Sequence, residues 1–312
     1  MSLERALELA ERGRGTTYPN PVVGAVVVRD AEIVGEGWHQ RKGEAHAEVI
    51  ALEAAGERAK GATLFVTMEP CAHHGSTPPC TEAVLAAGVA RVVAGSLDPN
   101  PEAGGGLELL RAAGVETTHA GSAEARKQNE AWRVWVAARR PFVILKLALT
   151  LDGRVAIPGT RSVTGEESRR RVHELRAQVD AVGVGMGTVR ADDPKLSARD
   201  VEAARQPRRL AFGRGPLPDG SELELRTGEL EEELATLGEE GVQSLLLEGG
   251  PKLAESFLRG DLVDKALFFV APVIAGGGLP FAPVLPAPVE LRRLDVELVG
   301  DDILLSGYVH EP

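Results

Sequence analysis

Both cysteines of this chain lie in one short stretch, EPCAHHGSTPPC, residues 69–80. Cys71 follows Pro70, and Cys80 comes directly before a segment with helical periodicity. A thiol at a helix N-terminus has a lowered pKa, because the free N–H groups stabilise the thiolate. The pair could be a disulfide, two inert buried thiols or two metal ligands. A reducing compartment would disfavour the disulfide.

A histidine and a glutamate upstream favour the metal. His46 and Glu48 stand two apart at the start of a predicted helix over 45–61, so they point in different directions. His-x-Glu followed by Pro-Cys and a second Cys is the pattern of zinc-dependent deaminases. His46, Cys71 and Cys80 would hold Zn²⁺ and leave one position for water, whose pKa the metal lowers towards about 7. Glu48, which is not a ligand, would move protons from the water to the substrate.

The spacing of the cysteines leaves a structural alternative. Eight residues, AHHGSTPP, separate the two thiols, and two of them are His73 and His74. A structural Cys₂His₂ site that uses one of these histidines is the competing interpretation. It gives His46 and Glu48 no role.

Composition limits the class of protein. The chain has 312 residues, of which 43% are hydrophobic and 26% charged, so two globular domains are expected. The N-terminal stretch MSLERALELAERGRG is charged from residue 4 and lacks the apolar run of a signal peptide, which favours the cytoplasm. The net charge of −11 is not balanced by a basic block, which argues against a DNA or RNA partner.

Strands and single helices alternate through the first part of the chain. This order predicts a largely parallel sheet with helices on its faces. Helices are predicted over 3–12, 45–61, 81–88 and 107–114, and strands over 22–28, 33–37, 62–68 and 89–95.

A long helix predicted over 122–140 closes the first part. Trp132 and Trp135 lie three apart on one face of it, which indicates packing. The helix leads into Pro141, and a domain boundary is expected near 140–145. The alternation then restarts, with strands over 142–150, 179–189, 208–212, 242–250 and 266–274, helices over 167–178, 229–239 and 251–260, and a hairpin over 297–309.

Longer runs of sequence resemble one known family. The runs TTYPNPVVGAVVV, GEGWHQRKGEAHAEVIAL, VTMEPCAHHGSTPPC and DPNP fall within the first 101 residues, and LKLALTLDGR, LRAQVDAVGVGMGTVRADDPKLSAR and LLLEGGPKLAESFL follow later. They resemble the bifunctional riboflavin-biosynthesis deaminase/reductases, in which the longer cysteine spacing also occurs. The resemblance implies an α/β fold of two domains. Residues 1–141 would form a zinc cytidine-deaminase-like three-layer α/β/α domain, and residues 142–312 a dihydrofolate-reductase-like α/β domain.

The resemblance also implies two successive reactions on one phosphoribosylated pyrimidine. The first domain would hydrolyse the 2-amino group of 2,5-diamino-6-(5-phosphoribosylamino)pyrimidin-4(3H)-one, giving 5-amino-6-(5-phosphoribosylamino)uracil and ammonia. The second would use NADPH to reduce the ribosyl to the ribityl chain. A homo-oligomer is expected on the same ground.

Contact residues carried over from the family fall in both domains. Those of the deaminase pocket would be Asn20, His39, His73 and Asn100. Substrate contacts of the reductase would be Lys146, Thr160, Arg176, Leu196, Arg199 and Glu248. NADPH contacts would be Ala148, Ser162, Thr188, Asp192, Gly250, Pro251, Lys252 and Leu253. Two of these choices have a physical basis. Glycines between a strand and a helix bring N–H groups close to an anion, and arginine can grip a phosphate with two parallel bonds.

One segment departs from the family pattern. LAFGRGPLPDG stands where a strand followed by Asp-Ser or Asp-Gly is usual, and the region 200–240 is short and rich in Glu. A chain that only deaminates, with an impaired or repurposed reductase domain, is therefore an alternative. Two others are a deaminase of the same fold with a nucleoside, free-base or tRNA substrate, and a zinc-stabilised binding protein without turnover. In that last case Glu48→Gln would change nothing.

Overall fold

Two compact units make up the chain. The structure, a computed structural model, describes residues 2–75, 77–203 and 205–311. The units divide between Ala137 and Ala138. Within the described ranges, none of the helices combines the length and apolar character needed to cross a membrane.

The first unit is built on a mixed sheet. Its strands are β1 (Gly24–Arg29), β2 (Glu32–Trp38), β3 (Thr63–Met68), β4 (Arg91–Ser96) and β5 (Glu116–His119). They lie in the order β2-β1-β3-β4-β5, with β1 antiparallel to both neighbours and β3, β4 and β5 parallel. Strand β5 was not among the predicted elements.

Helices cover both faces of this sheet. They are α1 (Ser2–Glu11), α2 (Ala47–Ala55), a 3₁₀ turn (Gly56–Ala59), α3 (Cys80–Ala86), α4 (Gly106–Ala112), α5 (Ala123–Gln128) and α6 (Glu130–Ala138). Apolar residues of α2, α3 and α4 pack with Val27 and Leu64 of the strands, whereas α1 packs on Val26, which points to the opposite face. The result is a three-layer α/β/α unit.

Two glycines of β2 let α2 approach closely. A Cβ at Gly35 would lie 2.1 Å from the carbonyl oxygen of Ala51, and one at Gly37 would lie 2.5 Å from that of Ala47. Any larger residue would push the helix away from the sheet. The glycines therefore fix the start of α2, where His46 and Glu48 stand.

The prediction of one continuous helix over 122–140 is wrong. The segment forms α5 and α6, which are separated at Asn129. The buried Asn129 side chain accepts from the backbone N–H of Val22 at 2.9 Å and donates to its carbonyl at 2.9 Å. This contact with a residue far away in the chain turns the helix, because it holds Asn129 against the segment before β1. Trp132 is buried, in agreement with its predicted packing role.

The second unit has a larger and mostly parallel sheet. Its strands are β6 (Phe142–Thr150), β7 (Arg154–Ala156), β8 (Ala181–Gly185), β9 (Arg208–Phe212), β10 (Glu224–Arg226), β11 (Ser244–Leu247), β12 (Lys265–Ala271), β13 (Leu279–Pro280), β14 (Arg292–Val299) and β15 (Asp302–Tyr308). The main sheet has the order β10-β9-β8-β11-β6-β12-β15-β14, parallel from β10 to β12, and β13 pairs with β7 separately.

The helices of this unit are α7 (Glu166–Gln178), α8 (Met186–Asp192), α9 (Leu230–Glu239) and α10 (Pro251–Arg259). Apolar residues of α9 and α10 pack on the sheet face that carries Val143 and Leu145. On the other face, Ser168 of α7 donates to the buried Asp302 of β15 at 2.5 Å. The predicted hairpin around Gly300 is confirmed as β14 and β15.

Two segments of this unit, 179–189 and 210–220, can be compared with their predictions. The strand predicted over 179–189 ends at Gly185, and α8 begins at Met186. The unusual segment 210–220 still completes β9 and leads to β10, so the sheet keeps its outer parallel strands. Glutamates from the Glu-rich region pair with Arg208 and Arg226 at that end of the sheet.

Candidate active sites

Three side chains of the first unit converge at the ends of neighbouring elements. His46 immediately precedes α2, Cys71 follows β3, and Cys80 is the first residue of α3. His46 Nδ1 lies 3.2 Å from Cys80 Sγ and 3.7 Å from Cys71 Sγ. Ligands of one tetrahedral Zn²⁺, with bonds of about 2.0–2.3 Å, are separated by roughly 3.3–3.8 Å. The donor set and its spacing therefore fit zinc.

The electrostatics of the two thiols agree with a metal site. Bonds donated by the Cys80 thiol, His46 and the Cys80 backbone N–H lower the pKa of Cys71 to about 4. The Cys80 pKa is raised, because Cys80 shares a proton with Cys71 and is itself buried. Two buried thiolates close to each other and to a carboxylate repel one another, so without a cation they share one proton. A bound cation would allow both sulfurs to be ionised at the same time. Neither cysteine is in a disulfide.

Glu48 lies beside this cluster without belonging to it. It is the second residue of α2 and is only 3% exposed. Burial raises the pKa of its carboxyl to about 7, and it hydrogen-bonds Cys80. A buried carboxyl whose pKa is near neutrality can accept and release protons at physiological pH. The position suits a proton carrier next to the metal.

The histidines between the cysteines lie elsewhere. In the described part of the chain, the group able to hold a metal comprises His46, Cys71 and Cys80, and includes neither His73 nor His74. His74 is exposed and pairs with Glu82 at 3.2 Å. His73 Nδ1 is buried without a hydrogen-bond partner among the described residues. That orphaned nitrogen is consistent with a contact to a bound molecule.

Asn20 and His39 form a pair against the predicted metal ligand. Asn20 Nδ2 lies 3.1 Å from His39 Nε2, and His39 Nδ1 lies 3.2 Å from the carbonyl oxygen of Ala45. Burial lowers the pKa of His39, so its ring is neutral, with Nδ1–H donating to Ala45 and Nε2 accepting from Asn20. The ring meets His46 edge-on, with centroids 5.2 Å apart. The structure thus brings both residues to the predicted zinc site.

Asn100 is placed by a carboxylate that sequence reasoning missed. Glu69, the residue after β3, accepts from the backbone N–H groups of Asp98 at 2.9 Å and Leu107 at 3.3 Å. Asp98 in turn accepts from the N–H of Asn100. Glu69 therefore ties the loop of Asn100 to the segment that carries Cys71. Its position directly before Pro70 was the only signal in the sequence.

Thr77 was also missed. Its Oγ1 lies 3.4 Å from His46 Nε2, the ring nitrogen that faces away from the sulfurs. A partner on the second nitrogen of a metal-binding histidine fixes the tautomer and the orientation of the ring. The spacing of the cysteines gave no hint of this role.

In the second unit, Glu248 joins two cations. It follows β11 and receives two bonds from Arg176, at 2.6 and 3.1 Å, while Lys146 Nζ of β6 lies 3.5 Å away. Burial alone would raise the pKa of Glu248, but Lys146 and Arg176 outweigh it and keep the pKa below its ordinary value. One carboxylate facing two cations leaves an excess of positive charge. Such a cluster suits an anionic ligand.

The predicted grip of Arg176 on a phosphate needs revision. Its Nε and one terminal nitrogen are held by Glu248, and its other terminal nitrogen donates to the carbonyl of Ser197 at 3.2 Å. His173 approaches the same carbonyl, and Arg199 is close enough to help lower the pKa of His173. Arg176 is therefore braced within the protein, and only its remaining N–H groups can face a ligand. Leu196 is buried in the same loop, with a positive φ of 51°.

The predicted NADPH contacts gather in part around α10. Gly250 and Pro251 form its start, with Lys252 and Leu253 in the first turn. A Cβ at Gly249 would lie 3.0 Å from the Leu253 side chain, so the turn is closely packed, and one at Gly250 would lie 3.4 Å from Thr188 Oγ1 of α8. Glycines that keep the backbone bare at a helix N-terminus fit a cofactor phosphate.

The other predicted contacts lie on neighbouring elements. Ala148 is two residues from Lys146 on β6 and shares its sheet face. The hydroxyls of Thr160 and Ser162, in the exposed loop between β7 and α7, donate to the carbonyls of Ile157 and Thr164. Asp192 is exposed at the end of α8. The structure shows no contact that ties these last three residues to the Glu248 cluster within the described segments.

Comparisons with known proteins cover nearly the whole chain. Residues 2–96 match the cytidine and deoxycytidylate deaminase zinc-binding region, and residues 141–305 match the RibD C-terminal domain. The riboflavin biosynthesis protein RibD of Aquifex aeolicus (strain VF5) is 40% identical, over 97% of this chain and 96% of the relative. That of Escherichia coli (strain K12) is 39% identical, over 97% of each.

Solved structures give the same result. The structure of Acinetobacter baumannii RibD is 34% identical, with a TM-score of 0.87 over 98% of this chain and 97% of that one. A diaminohydroxyphosphoribosylaminopyrimidine deaminase/5-amino-6-(5-phosphoribosylamino)uracil reductase from Thermotoga maritima is 36% identical, with a TM-score of 0.84 and the same coverage. By sequence, by domain content and by fold, the chain belongs to the RibD family of riboflavin-biosynthesis proteins.

Proposed function

We propose that this chain performs two successive steps of riboflavin biosynthesis. It hydrolyses the 2-amino group of 2,5-diamino-6-(5-phosphoribosylamino)pyrimidin-4(3H)-one and then reduces the ribosyl group of the resulting uracil to a ribityl chain with NADPH. The observation that carries the proposal is the His46, Cys71 and Cys80 cluster with the buried Glu48 beside it. The match of the second unit to the RibD C-terminal domain supports the reductase step.

In the deamination, the protein supplies ligands, a proton carrier and a pocket. His46, Cys71 and Cys80 would hold zinc, whose Lewis acidity makes water a nucleophile at neutral pH. Glu48 accepts a proton from the attacking water and delivers protons to the ring nitrogen and the leaving amine, which departs as ammonia. Asn20, His39, His73 and Asn100 are proposed to orient the pyrimidine.

In the reduction, the protein mainly positions two molecules. NADPH supplies the hydride. The start of α10, at Gly250 and Pro251, is proposed to hold a cofactor phosphate through its backbone N–H groups. Lys146 and Arg176, both braced by Glu248, would present positive charge to the substrate. Leu196 and Arg199 would close the same side of the pocket.

The proposal extends to the roles of the two domains, the compartment and the partners. Residues 1–141 would act as the deaminase and residues 142–312 as the reductase, since β6 starts at Phe142. Both cysteines are free thiols, as is usual in a reducing compartment, so the cytoplasm is proposed. The net charge of −11 opposes a nucleic-acid partner. A homo-oligomer is proposed as the working form.

In the test, the purified chain is given 2,5-diamino-6-(5-phosphoribosylamino)pyrimidin-4(3H)-one and NADPH. Ammonia release and NADPH oxidation are followed separately, and the zinc content is measured on the same sample. We expect both signals. Glu48→Gln should lower ammonia release by about a hundredfold or more with zinc retained, because the carboxylate is the proton carrier. The same variant should still oxidise NADPH when it is given the deaminated substrate.

Each other result favours a different function. Ammonia without NADPH oxidation would indicate a chain that only deaminates. Bound zinc with neither signal would indicate a binding protein without turnover. If Glu48→Gln kept full ammonia release, the proposed proton carrier would be wrong.

A further inference from the structure

The loop after β9 brings two arginines together at the carboxyl edge of the large sheet. Phe212 at the end of β9 pairs with Gly185 at the end of β8, so the loop 213–215 lies beside the start of α8. Arg190 of α8 donates to the carbonyl oxygen of Arg214 at 2.8 Å. Both arginines are exposed. They therefore lie next to each other, with their side chains open to solvent.

This arrangement requires the glycines on either side of Arg214. Gly213 and Gly215 have φ angles of 124° and 118°, which residues with a Cβ rarely adopt. A Cβ at Gly215 would lie 2.7 Å from a terminal nitrogen of Arg190, and one at Gly213 would lie 3.2 Å from the Met186 side chain. The Gly-Arg-Gly run lets the Arg190 guanidinium lie directly against the loop. The departure from the family pattern in this segment therefore creates the arginine pair.

Neither arginine has a carboxylate partner among the described residues, unlike the arginines of β9 and β10. Arg208, Arg209 and Arg226 each pair with glutamates, at distances between 2.5 and 3.5 Å. Arg190 and Arg214 form no ion pair of this kind within the described ranges. Two neighbouring cations without counter-ions, in a chain with a net charge of −11, attract an anion.

The arginine pair lies near the proposed site for a cofactor phosphate. The strands β11, β8 and β9 are parallel neighbours, so the start of α10 and the loop 213–215 leave the same edge two strands apart, which is about 10 Å. Helix α8 contacts both. A Cβ at Gly250 would lie 3.4 Å from Thr188 Oγ1, and Arg190 reaches the loop on the other side of the helix. Two positions suited to phosphate thus lie along one edge of the sheet.

We propose that Arg190 and Arg214 bind the 2′-phosphate of NADPH and make this chain select NADPH over NADH. The inference rests on the proposed reduction step. In NADPH one ribose joins the pyrophosphate to the 2′-phosphate, so the start of α10 and the arginine pair are spaced for these two groups, with the arginine side chains reaching across the remaining distance. NADH has a hydroxyl group in place of the 2′-phosphate and gains little from two cations.

The chemistry of arginine suits this role. A guanidinium holds a phosphate through parallel N–H donors in a fixed plane. Arg190 keeps most of its five donors free, because one terminal nitrogen is enough for its bond to the loop. That bond also limits the motion of the side chain, so less freedom is lost when the phosphate binds.

The test compares two adenosine ligands that differ only in the 2′-phosphate. Isothermal titration of the full chain with 2′,5′-ADP and with 5′-AMP measures the contribution of that group without any turnover. We expect 2′,5′-ADP to bind about a hundredfold more tightly. Arg190→Ala and Arg214→Ala should each weaken the binding of 2′,5′-ADP about tenfold and leave that of 5′-AMP unchanged, which also shows that the rest of the site is intact.

Steady-state rates give the same comparison for the two cofactors. With the deaminated substrate, kcat/KM for NADPH should fall about tenfold in either alanine variant, while kcat/KM for NADH stays the same. Arg214→Lys should fall between the wild type and Arg214→Ala, since lysine keeps the charge but lacks the parallel donors.

The matched control is Arg209→Ala on β9, because Glu222 already neutralises this arginine. It should leave both affinities unchanged. Equal binding of 2′,5′-ADP and 5′-AMP by the wild type would overturn the inference. An equal loss in Arg209→Ala would also overturn it, since the effect would then be one of overall charge. A chain that binds 2′,5′-ADP more tightly yet oxidises neither cofactor would refute the proposed reduction and leave this site standing, so the two failures are distinguishable.

Discussion

The two candidate sites differ in the charge that their own residues leave uncompensated. In the first unit, two thiols and the carboxyl of Glu48 surround one histidine, so the site lacks a cation. In the second unit, one carboxylate, Glu248, pairs with two cations, Lys146 and Arg176, so the site has a net positive charge. The comparison shows how one chain can offer a place for Zn²⁺ and another for a phosphorylated substrate.

The sites also differ in how they are held. The proposed zinc ligands lie where a helix begins or shortly after a strand ends, and Cys71 accepts from the backbone N–H groups of Cys80 and Thr81. The charged cluster instead joins side chains of a strand, a helix and a loop, and depends on the pairing itself. Removing a residue should therefore abolish metal binding in the first site and destabilise the protein in the second.

The largest effect is expected for Cys80→Ser. Serine is a poor zinc ligand, so the variant should lose its metal and all ammonia release, while NADPH oxidation with the deaminated substrate continues. Metal analysis and the two assays check this. His74→Gln is the control, because His74 is exposed and lies outside the cluster, and it should keep zinc. Loss of zinc in His74→Gln instead would revive the structural Cys₂His₂ interpretation.

The next largest effect is expected for Glu248→Gln. It leaves two partly buried cations without their carboxylate, which we expect to cost about 2–3 kcal/mol of stability and most of the NADPH oxidation. Glu222→Gln removes an exposed partner of Arg209 and should cost about 0.5 kcal/mol or less. Hydrogen exchange in β6 and β11 measures the stability of the second unit in each variant. Equal losses in the two variants would contradict the bracing role of Glu248.

A smaller effect is expected for Thr77→Val. The variant removes the hydroxyl next to His46 Nε2 and should weaken zinc binding by about tenfold, as other partners of metal-binding histidines do. Competition with a coloured chelator measures this without any activity assay. Thr118→Val, on β5, should leave the affinity unchanged. An unchanged affinity in Thr77→Val would show that the contact does not orient the ring.

The smallest expected effect is on the stability of the second unit at acid pH. The folded pKa of Glu248 lies below its ordinary value of 4.5, so below that pH the unfolded state takes up the proton first. Stability of the second unit should therefore fall as pH drops below about 4.5, and fall less in Glu248→Gln. Hydrogen exchange of β6 at neutral and acid pH measures this. The tryptophans, Trp38, Trp132 and Trp135, all lie in the first unit, so their fluorescence follows that unit separately.

The elements that the sequence predicted well are those with local causes. A nearly continuous apolar run marked β6 over 142–150, and Gly300 marked the final hairpin. The helix over 122–140 was predicted as continuous because nothing local interrupts it. Its break at Asn129 depends on hydrogen bonds to Val22, which no window of sequence contains.

The candidate sites divide in the same way. Residue type and order alone indicated His46, Glu48, Cys71 and Cys80, since ligand chemistry restricts which side chains can serve. Glu69 and Thr77 could not be found, because each acts through a contact made only after folding. Arg176 was expected to contact the substrate and grip its phosphate with two bonds, and its pairing with Glu248, 72 positions away, was not foreseen.

Residue types, their order and local periodicity by themselves determined the zinc-dependent hydrolytic chemistry and the two α/β domains, whereas the reduction and its cofactor were implied by the resemblance to a known family. The tertiary structure decided which side chains meet, how their charges balance and which surface stays open. Strand β14 illustrates this last point. Its apolar residues Leu294, Val296 and Leu298 alternate along the sequence as those of a packed strand do, and only the sheet order shows that β14 is an edge strand on which they stay exposed.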